Sequence, residues 1–286
     1  MNQKRKMNFI RTSLHIFRFL IIVVLLTVLT QIGGLIYLLL KPLGLYLKQK
    51  KNNWKGFALR MTMYFGIYLL VSVTLIPRLA RQYNRVPLPC FSSETAPIKP
   101  ARYFFWIANR HYVRTELYDL IIDVSNNINT KYPNIEIQYL DANFPLFKYF
   151  PLLPHKSHND GRRLDICFLY KNKNGEKVNV APGVLGYGHC EQPRKGEVDY
   201  PERCRKKGYR LYSMLYHLTK NFRMDAYLFD KEANRVLLKE ITKQKKVRKV
   251  FIEPHLKTRL KLGPEDKIRF HGCGAVRHDD HIHLEL

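Results

Sequence analysis

The chain carries eleven histidines, and five of them fall in two short clusters. The first runs His155, Lys156, Ser157, His158, Asn159, Asp160, Gly161, Arg162, Arg163, Leu164, Asp165. The second, His278, Asp279, Asp280, His281, Ile282, His283, lies close to the last residue, Leu286. On a strand, side chains two apart share a face, so His281 and His283 point the same way. Asp165 begins an apolar strand-like run, and His158 sits on the loop before it. Neutral imidazole and carboxylate are good Zn²⁺ ligands, and a catalytic zinc takes three of them plus a water. His158, Asp165, His281 and His283 supply such a set and leave one histidine for proton transfer or for a developing oxyanion. Either cluster alone is weak, because a lone H-x-H commonly lies on a solvated edge strand. Together they carry more weight.

The pattern H-x-x-G-x-x-x-D followed far downstream by H-x-H resembles the metallopeptidase group that joins lysostaphin-type enzymes, D-Ala-D-Ala peptidases and the hedgehog domain. With the extra His155 and with H-x-x-H-x-H at His278, His281 and His283, it is most similar to the penicillin-insensitive murein endopeptidases. The resemblance covers roughly residues 101–286. It implies that His158, Asp165 and His283 ligate zinc and that His281 is the catalytic histidine. It also implies that His155 and His278 line the site and that Ser157 and Gly161 occupy loop positions. The implied activity is hydrolysis of peptide cross-links in bacterial peptidoglycan. The dipeptidase branch of the group uses E-x-x-W-H, but here Asp279 and Ile282 stand at the glutamate and tryptophan positions. Asp279 or Asp280 is instead a candidate for orienting a histidine. Two other readings are a D-Ala-D-Ala-type carboxypeptidase and a non-catalytic zinc module that binds wall or protein.

The elements that must hold these residues read as an α+β domain: a small antiparallel sheet carrying the zinc site, with flanking helices. Leu117, Leu120, Ile121, Val124 and Ile128 share one helical face. Ile135–Tyr139 alternates as a half-buried strand, and Leu164–Tyr170 is an apolar strand. Leu211, Leu215, Leu218 and Phe222 suggest a second amphipathic helix. Short strands are expected at Ala226–Phe229, Val236–Leu238, Val250–Ile252 and His281–Leu286. His217 reads as helix surface, and His255 and His271 as structural, with a site-lining role as the alternative. The glycine-rich stretch Gly183–Gly188 lacks the context of a dinucleotide site and is a candidate border of a cleft. Of the five cysteines, Cys167 reads as buried and free. Cys190–Cys204 and, less firmly, Cys90–Cys273 are candidate disulfides in an oxidising compartment.

The net charge is +26. Residues 1–82 hold 13 basic and no acidic residues, leaving 36 basic against 23 acidic in the rest. Within that acid-free third, residues 19–40 and 57–76 form two apolar segments, the first long enough to cross a hydrocarbon core of about 30 Å. One or two transmembrane helices therefore form a membrane anchor (1–84). A proline-rich linker (85–100) leads to the zinc metallopeptidase domain (101–286). Basic groups flank both sides of the first segment in nearly equal number, so charge alone leaves the orientation open. The basic runs 203–207 and 243–249 lack interleaved aromatic residues, which disfavours nucleic acid; they read as a solvated basic face, or as an attraction to an anionic wall polymer or lipid. The expected partners are thus peptidoglycan and the lipid bilayer, with the domain on the periplasmic side of a bacterial inner membrane.

Overall fold

The computed structural model describes residues 3–219, 224 and 226–286. Five helices come first: α1 (Gln3–Thr30), α2 (Gly33–Leu39), α3 (Lys41–Lys50), α4 (Trp54–Thr74) and α5 (Ile76–Arg81). The apolar run 19–40, expected as one helix, is broken at Gln31, which adopts a φ of 67°. Thr30 caps the break by accepting a hydrogen bond from the Gly33 amide at 2.8 Å. The lack of a side chain at Gly34 then lets α2 fold back on α1, since a Cβ there would lie 1.9 Å from the Thr27 hydroxyl. Phe19 meets Tyr37 at 5.6 Å, and Tyr37 meets Tyr64 at 5.2 Å. α1, the α2–α3 segment and α4 therefore run antiparallel in turn. Phe9–Thr30 and Trp54–Arg81 are long and apolar enough to cross a membrane.

The turn after α1 and the end of α4 both touch the following domain. The Leu146 amide donates to Gln31 Oε1 at 2.8 Å. Asn109 donates to the Tyr68 hydroxyl at 2.9 Å and to the Ser72 hydroxyl at 3.1 Å. The stretch 85–100 is extended but is not a free linker. It supplies β1 (Val86–Pro87) and β2 (Ile98–Pro100), and Leu88 and Ile98 are buried in the core. Arg85 is buried and donates to the carbonyls of Leu146 and Asn159 at 2.7 and 3.0 Å.

The domain continues as α6 (Tyr103–Ile107), β3 (Tyr112–Val113), α7 (Thr115–Lys131), β4 (Ile137–Tyr139), β5 (Arg163–Cys167), β6 (Tyr170–Lys171), β7 (Lys177–Val178), α8 (Tyr200–Lys206), α9 (Met214–Thr219), β8 (Leu228–Phe229), α10 (Lys231–Lys243), β9 (Lys249–Phe251), α11 (Pro254–Arg259), β10 (Ile268–Arg269) and β11 (His281–Glu285). The main sheet has the order β10-β9-β11-β5-β4-β2. It is mixed rather than wholly antiparallel: the β10–β9 and β2–β4 pairs at its edges are parallel, while the central pairs are antiparallel. Leu164, Ile166, Ile282 and Leu284 join one buried core with Leu117, Ile121, Val124, Leu237 and Ile241 from α7 and α10. The alternate residues of β5 and β11 include Asp165, His281 and His283.

Several expected elements differ. Val236–Leu238 lies inside α10, where Asp230 caps the Ala233 amide at 3.1 Å. Buried Ala233, Leu237, Leu238 and Ile241 show the helical period that a three-residue window hides. Leu164–Tyr170 divides into β5 and β6, and β4 is buried on both faces. The Leu211 helix is shorter than expected and inverted: Leu211 and Leu218 are 74% and 65% exposed, while Tyr212 and Thr219 are buried. Phe222 lies outside the described residues. The disulfide links Cys204 to Cys273, so neither expected pairing forms, and Cys90, Cys167 and Cys190 are free thiols. α8 brings Cys204 to the loop after β10, where Tyr200 packs on Phe270 at 4.9 Å.

Candidate metal centre

β11 pairs with β5 in the register His283 opposite Asp165 and His281 opposite Cys167. This register turns His281, His283 and Asp165 to one side of the sheet while Ile282 and Leu284 enter the core. The loop before β5 brings in His158. Gly161, at φ 84°, makes the turn back into the strand and accepts from the Arg114 amide at 2.8 Å. His158 Nδ1 donates to the Ala142 carbonyl at 2.6 Å, which leaves Nε2 as a lone-pair donor facing inward.

His158 Nε2 lies 3.3 Å from Asp165 Oδ1 and 3.2 Å from His283 Nδ1, and His283 Nδ1 lies 2.8 Å from Asp165 Oδ1. An ion about 2.0–2.1 Å from each of three tetrahedral donors separates them by about 3.3 Å, so little movement is needed to close on one. Donor atoms of His155, His158 and Asp165 also lie within 4.8 Å of one another, and this His-His-Asp group can hold a metal ion. His155 Nδ1, however, is shared between Asp141 Oδ2 at 3.1 Å and Asp165 Oδ2 at 3.2 Å. Burial opposes a charge on His155, but its hydrogen bonds to the two carboxylates win and raise its pKa to about 10. A protonated ring has no lone pair to offer, and His283 Nδ1 is another imidazole nitrogen close to both His158 and Asp165.

The neighbouring groups are set by further contacts. His281 Nδ1 bonds Asp280 Oδ1 at 2.5 Å, and Asp280 Oδ2 accepts from the Gly188 amide at 2.6 Å. His281 Nε2 then faces Asp165, 3.8 Å from Oδ2. Burial disfavours the imidazolium of His281, but Asp280 and Asp165 outweigh it and raise its pKa. Burial, with His281 and His283 beside it, pushes His278 well below the usual histidine range. Its ring lies 4.9 Å from that of His281 and 5.6 Å from that of His283. Of the two aspartates considered for orienting a histidine, Asp280 takes His281. Asp279 instead receives Arg277 Nε at 3.0 Å. His217 is exposed, as expected, and His255 is buried with Nε2 donating to the Glu191 carbonyl at 2.7 Å.

Two groups at the site, Asp141 and Tyr187, escape a sequence reading. Asp141, two residues after β4, takes Arg110 bidentately at 2.6 and 2.8 Å and so fixes His155. The Tyr187 hydroxyl donates to Asp165 Oδ2 at 2.8 Å and accepts from the Asp141 amide at 3.1 Å. The glycine-rich stretch thus enters the site through Tyr187. His271 stacks on Phe251 at 4.2 Å and lies 6.0 Å from His283. Strand alternation from Tyr139 to Asp141 was an available signal for the first; loop-borne Tyr187 had none. His283, His271, Phe251, Lys249, Arg269 and the Arg163–Glu285 ion pair line a cleft of about 400 Å³ whose rim carries a net positive charge.

Behind His278, Glu253 Oε1 accepts from its amide at 3.2 Å and from the Tyr212 hydroxyl at 2.6 Å. Burial, with Asp279 adding to it, raises the Glu253 pKa from 4.5 to about 7. The folded chain therefore holds a proton that the unfolded chain loses above about 4.5, and stability falls as pH rises from there through about 7. Glu253→Gln keeps the acceptor and removes the titration. Thermal melts of the variant are expected to match wild type at pH 4 and to lie above it at pH 8. A variant less stable than wild type at pH 8 contradicts this.

No protein-family model matches the sequence, and no curated protein matches it significantly, so the metal centre is read from its own geometry.

Proposed function

We propose that the chain is a membrane-anchored zinc metallopeptidase that hydrolyses peptide cross-links of bacterial peptidoglycan. The observation that carries this is the convergence of His158 Nε2, Asp165 Oδ1 and His283 Nδ1 beside the Asp280–His281 pair. These three residues would hold the ion, and bound zinc supplies Lewis acidity at a scissile carbonyl and its attacking water. Asp280 fixes the His281 tautomer, so Nε2 is the atom that accepts a proton and returns it to the leaving amine. Neutral His278 is a hydrogen-bond donor for the developing oxyanion. Tyr187 and Asp141 together hold Asp165 and His155 in place. The cationic cleft beside His283 suits a peptide rich in carboxylates.

The zinc-loaded full chain in detergent is expected to convert cross-linked muropeptide dimers to monomers and to lose this activity in EDTA. Release of free terminal D-alanine with dimers intact would instead identify a carboxypeptidase. Bound muropeptide without turnover would identify a binding module.

The helical bundle supports an orientation. Because α1 and the α2–α3 segment run antiparallel, the helix starts at Lys4, Arg5, Lys6 and Arg11 and the connector at Lys48, Lys50, Lys51 and Lys55 share the pole away from the domain. The two basic groups thus add rather than cancel. By the positive-inside rule that pole is cytoplasmic and the domain is periplasmic. A carboxyl-terminal alkaline phosphatase fusion is expected to be active in cells. An inactive fusion at normal expression contradicts the orientation and the wall substrate together.

A further inference from the structure

Two cavities lie among the amino-terminal helices. One, about 540 Å³, is lined by His15 and Phe19 of α1, Lys41 and Lys48 of α3, and Arg60 of α4, among others. The second, about 710 Å³, is lined almost wholly by apolar groups, including Ile22, Leu26, Ile36 and Phe65. Tyr37, Phe57, Met61 and Tyr64 line both, so the two form one cleft with a cationic end and an apolar end.

Among the described residues, the cations at that end have no acidic partner. The first acidic residue of the chain is Glu94, far beyond these helices. Lys41 Nζ lies over the Phe19 ring at 4.6 Å and the Tyr37 ring at 5.7 Å. Arg60 donates to the Lys51 carbonyl at 3.1 Å. Aromatic faces and a carbonyl soften a desolvated charge but do not neutralise it. Lys41 stands level with Phe19, so α1 runs on toward the domain for about 17 Å at about 1.5 Å per residue. Cations placed that far along an apolar bundle need a counter-charge that arrives with apolar material attached.

We propose that this cleft binds an anionic phospholipid. Its phosphate pairs with Lys41, Lys48 and Arg60, and an acyl chain lies between α1 and α4 toward the domain. Basic pockets between membrane helices take anionic headgroups in this way. By the orientation proposed above, the headgroup belongs to the leaflet opposite the domain. The lipid would fill the gap between α1 and α4 and so brace the helices that Gln31, Ser72 and Tyr68 tie to the domain. The inference rests on the membrane reading of residues 3–81, not on the metal centre. Failure of that reading would show as release of the chain from membranes by alkaline carbonate.

The test uses the full chain, purified in detergent and offered an equimolar mixture of phosphatidylglycerol and phosphatidylcholine with identical acyl chains. Native mass spectrometry counts the lipid retained. Wild type is expected to retain phosphatidylglycerol preferentially. Lys41→Ala combined with Arg60→Ala is expected to weaken its binding about 30-fold, from two charges each contributing about fivefold. Lys41→Arg is expected to keep the preference. Equal retention of the two lipids by wild type overturns the proposal whatever the variants do. An unchanged preference in the double variant overturns the assignment to this cleft.

Discussion

His283→Ala is expected to lower zinc affinity more than a hundredfold and to abolish cleavage of muropeptide dimers, whereas His155→Ala is expected to keep about one ion per chain. Loss of a group that merely orients a ligand typically costs 10–100-fold in affinity, so removing a ligand should exceed that. The contrast matters because two triads share His158 and Asp165. His283 Nδ1 lies 2.8 Å from Asp165 Oδ1 and 3.2 Å from His158 Nε2. His155 Nδ1 instead faces the other carboxylate oxygen and is shared with Asp141. If His283 is the third ligand, zinc content measured by plasma mass spectrometry separates the two variants cleanly. The reverse result, with zinc lost from His155→Ala and kept in His283→Ala, would give the site to the other triad. It would also leave β11 without its ligating role. His281→Ala completes the set: zinc content is expected to remain while turnover falls about 10²–10⁴-fold, the usual worth of a positioned acid–base group.

Much of this centre was legible because the chemistry restricts both residue type and spacing. Alternation alone places His281 and His283 on one face. What it cannot give is the neighbour strand: only the β11–β5 register puts His283 opposite Asp165. Asp141 and Tyr187 were less legible for the same reason. Neither belongs to a cluster, and each reaches Asp165 or His155 through chain folding. The anchor shows the converse limit. Hydropathy reports that residues 19–40 are apolar, but it is blind to the backbone turn at Gln31. That turn sends the Lys48–Lys55 group back to the pole of the amino terminus, a placement that a charge count along the sequence does not give. In α10 the error was one of window length, since three apolar residues fit a strand and a helix equally.

The disulfide gives the largest expected stability effect. Cys204–Cys273 spans a sequence separation of 69 residues. In the chain-entropy account, closing a loop of that size stabilises the fold by about 4 kcal/mol. For a domain of this size each kcal/mol corresponds to roughly 2–4 °C, so Cys204→Ser and Cys273→Ser are each expected to lower Tm by about 10 °C. The double variant should fall no further than either single one, and reductant should bring wild type to the same value. Cys190→Ser and Cys90→Ser are expected to leave Tm nearly unchanged, which separates the observed bridge from the Cys190–Cys204 and Cys90–Cys273 pairings. The bridge also bears on the site. The segment between its ends contains Tyr212, Glu253 and α11, and Glu253 holds the amide of His278. Opening it is therefore expected to lower cleavage before the domain unfolds. Such a bridge persists in an oxidising compartment. Chain labelled with a thiol reagent in intact cells should carry Cys204 and Cys273 protected. Labelling of both in native protein would place the domain in a reducing compartment and remove peptidoglycan as its substrate.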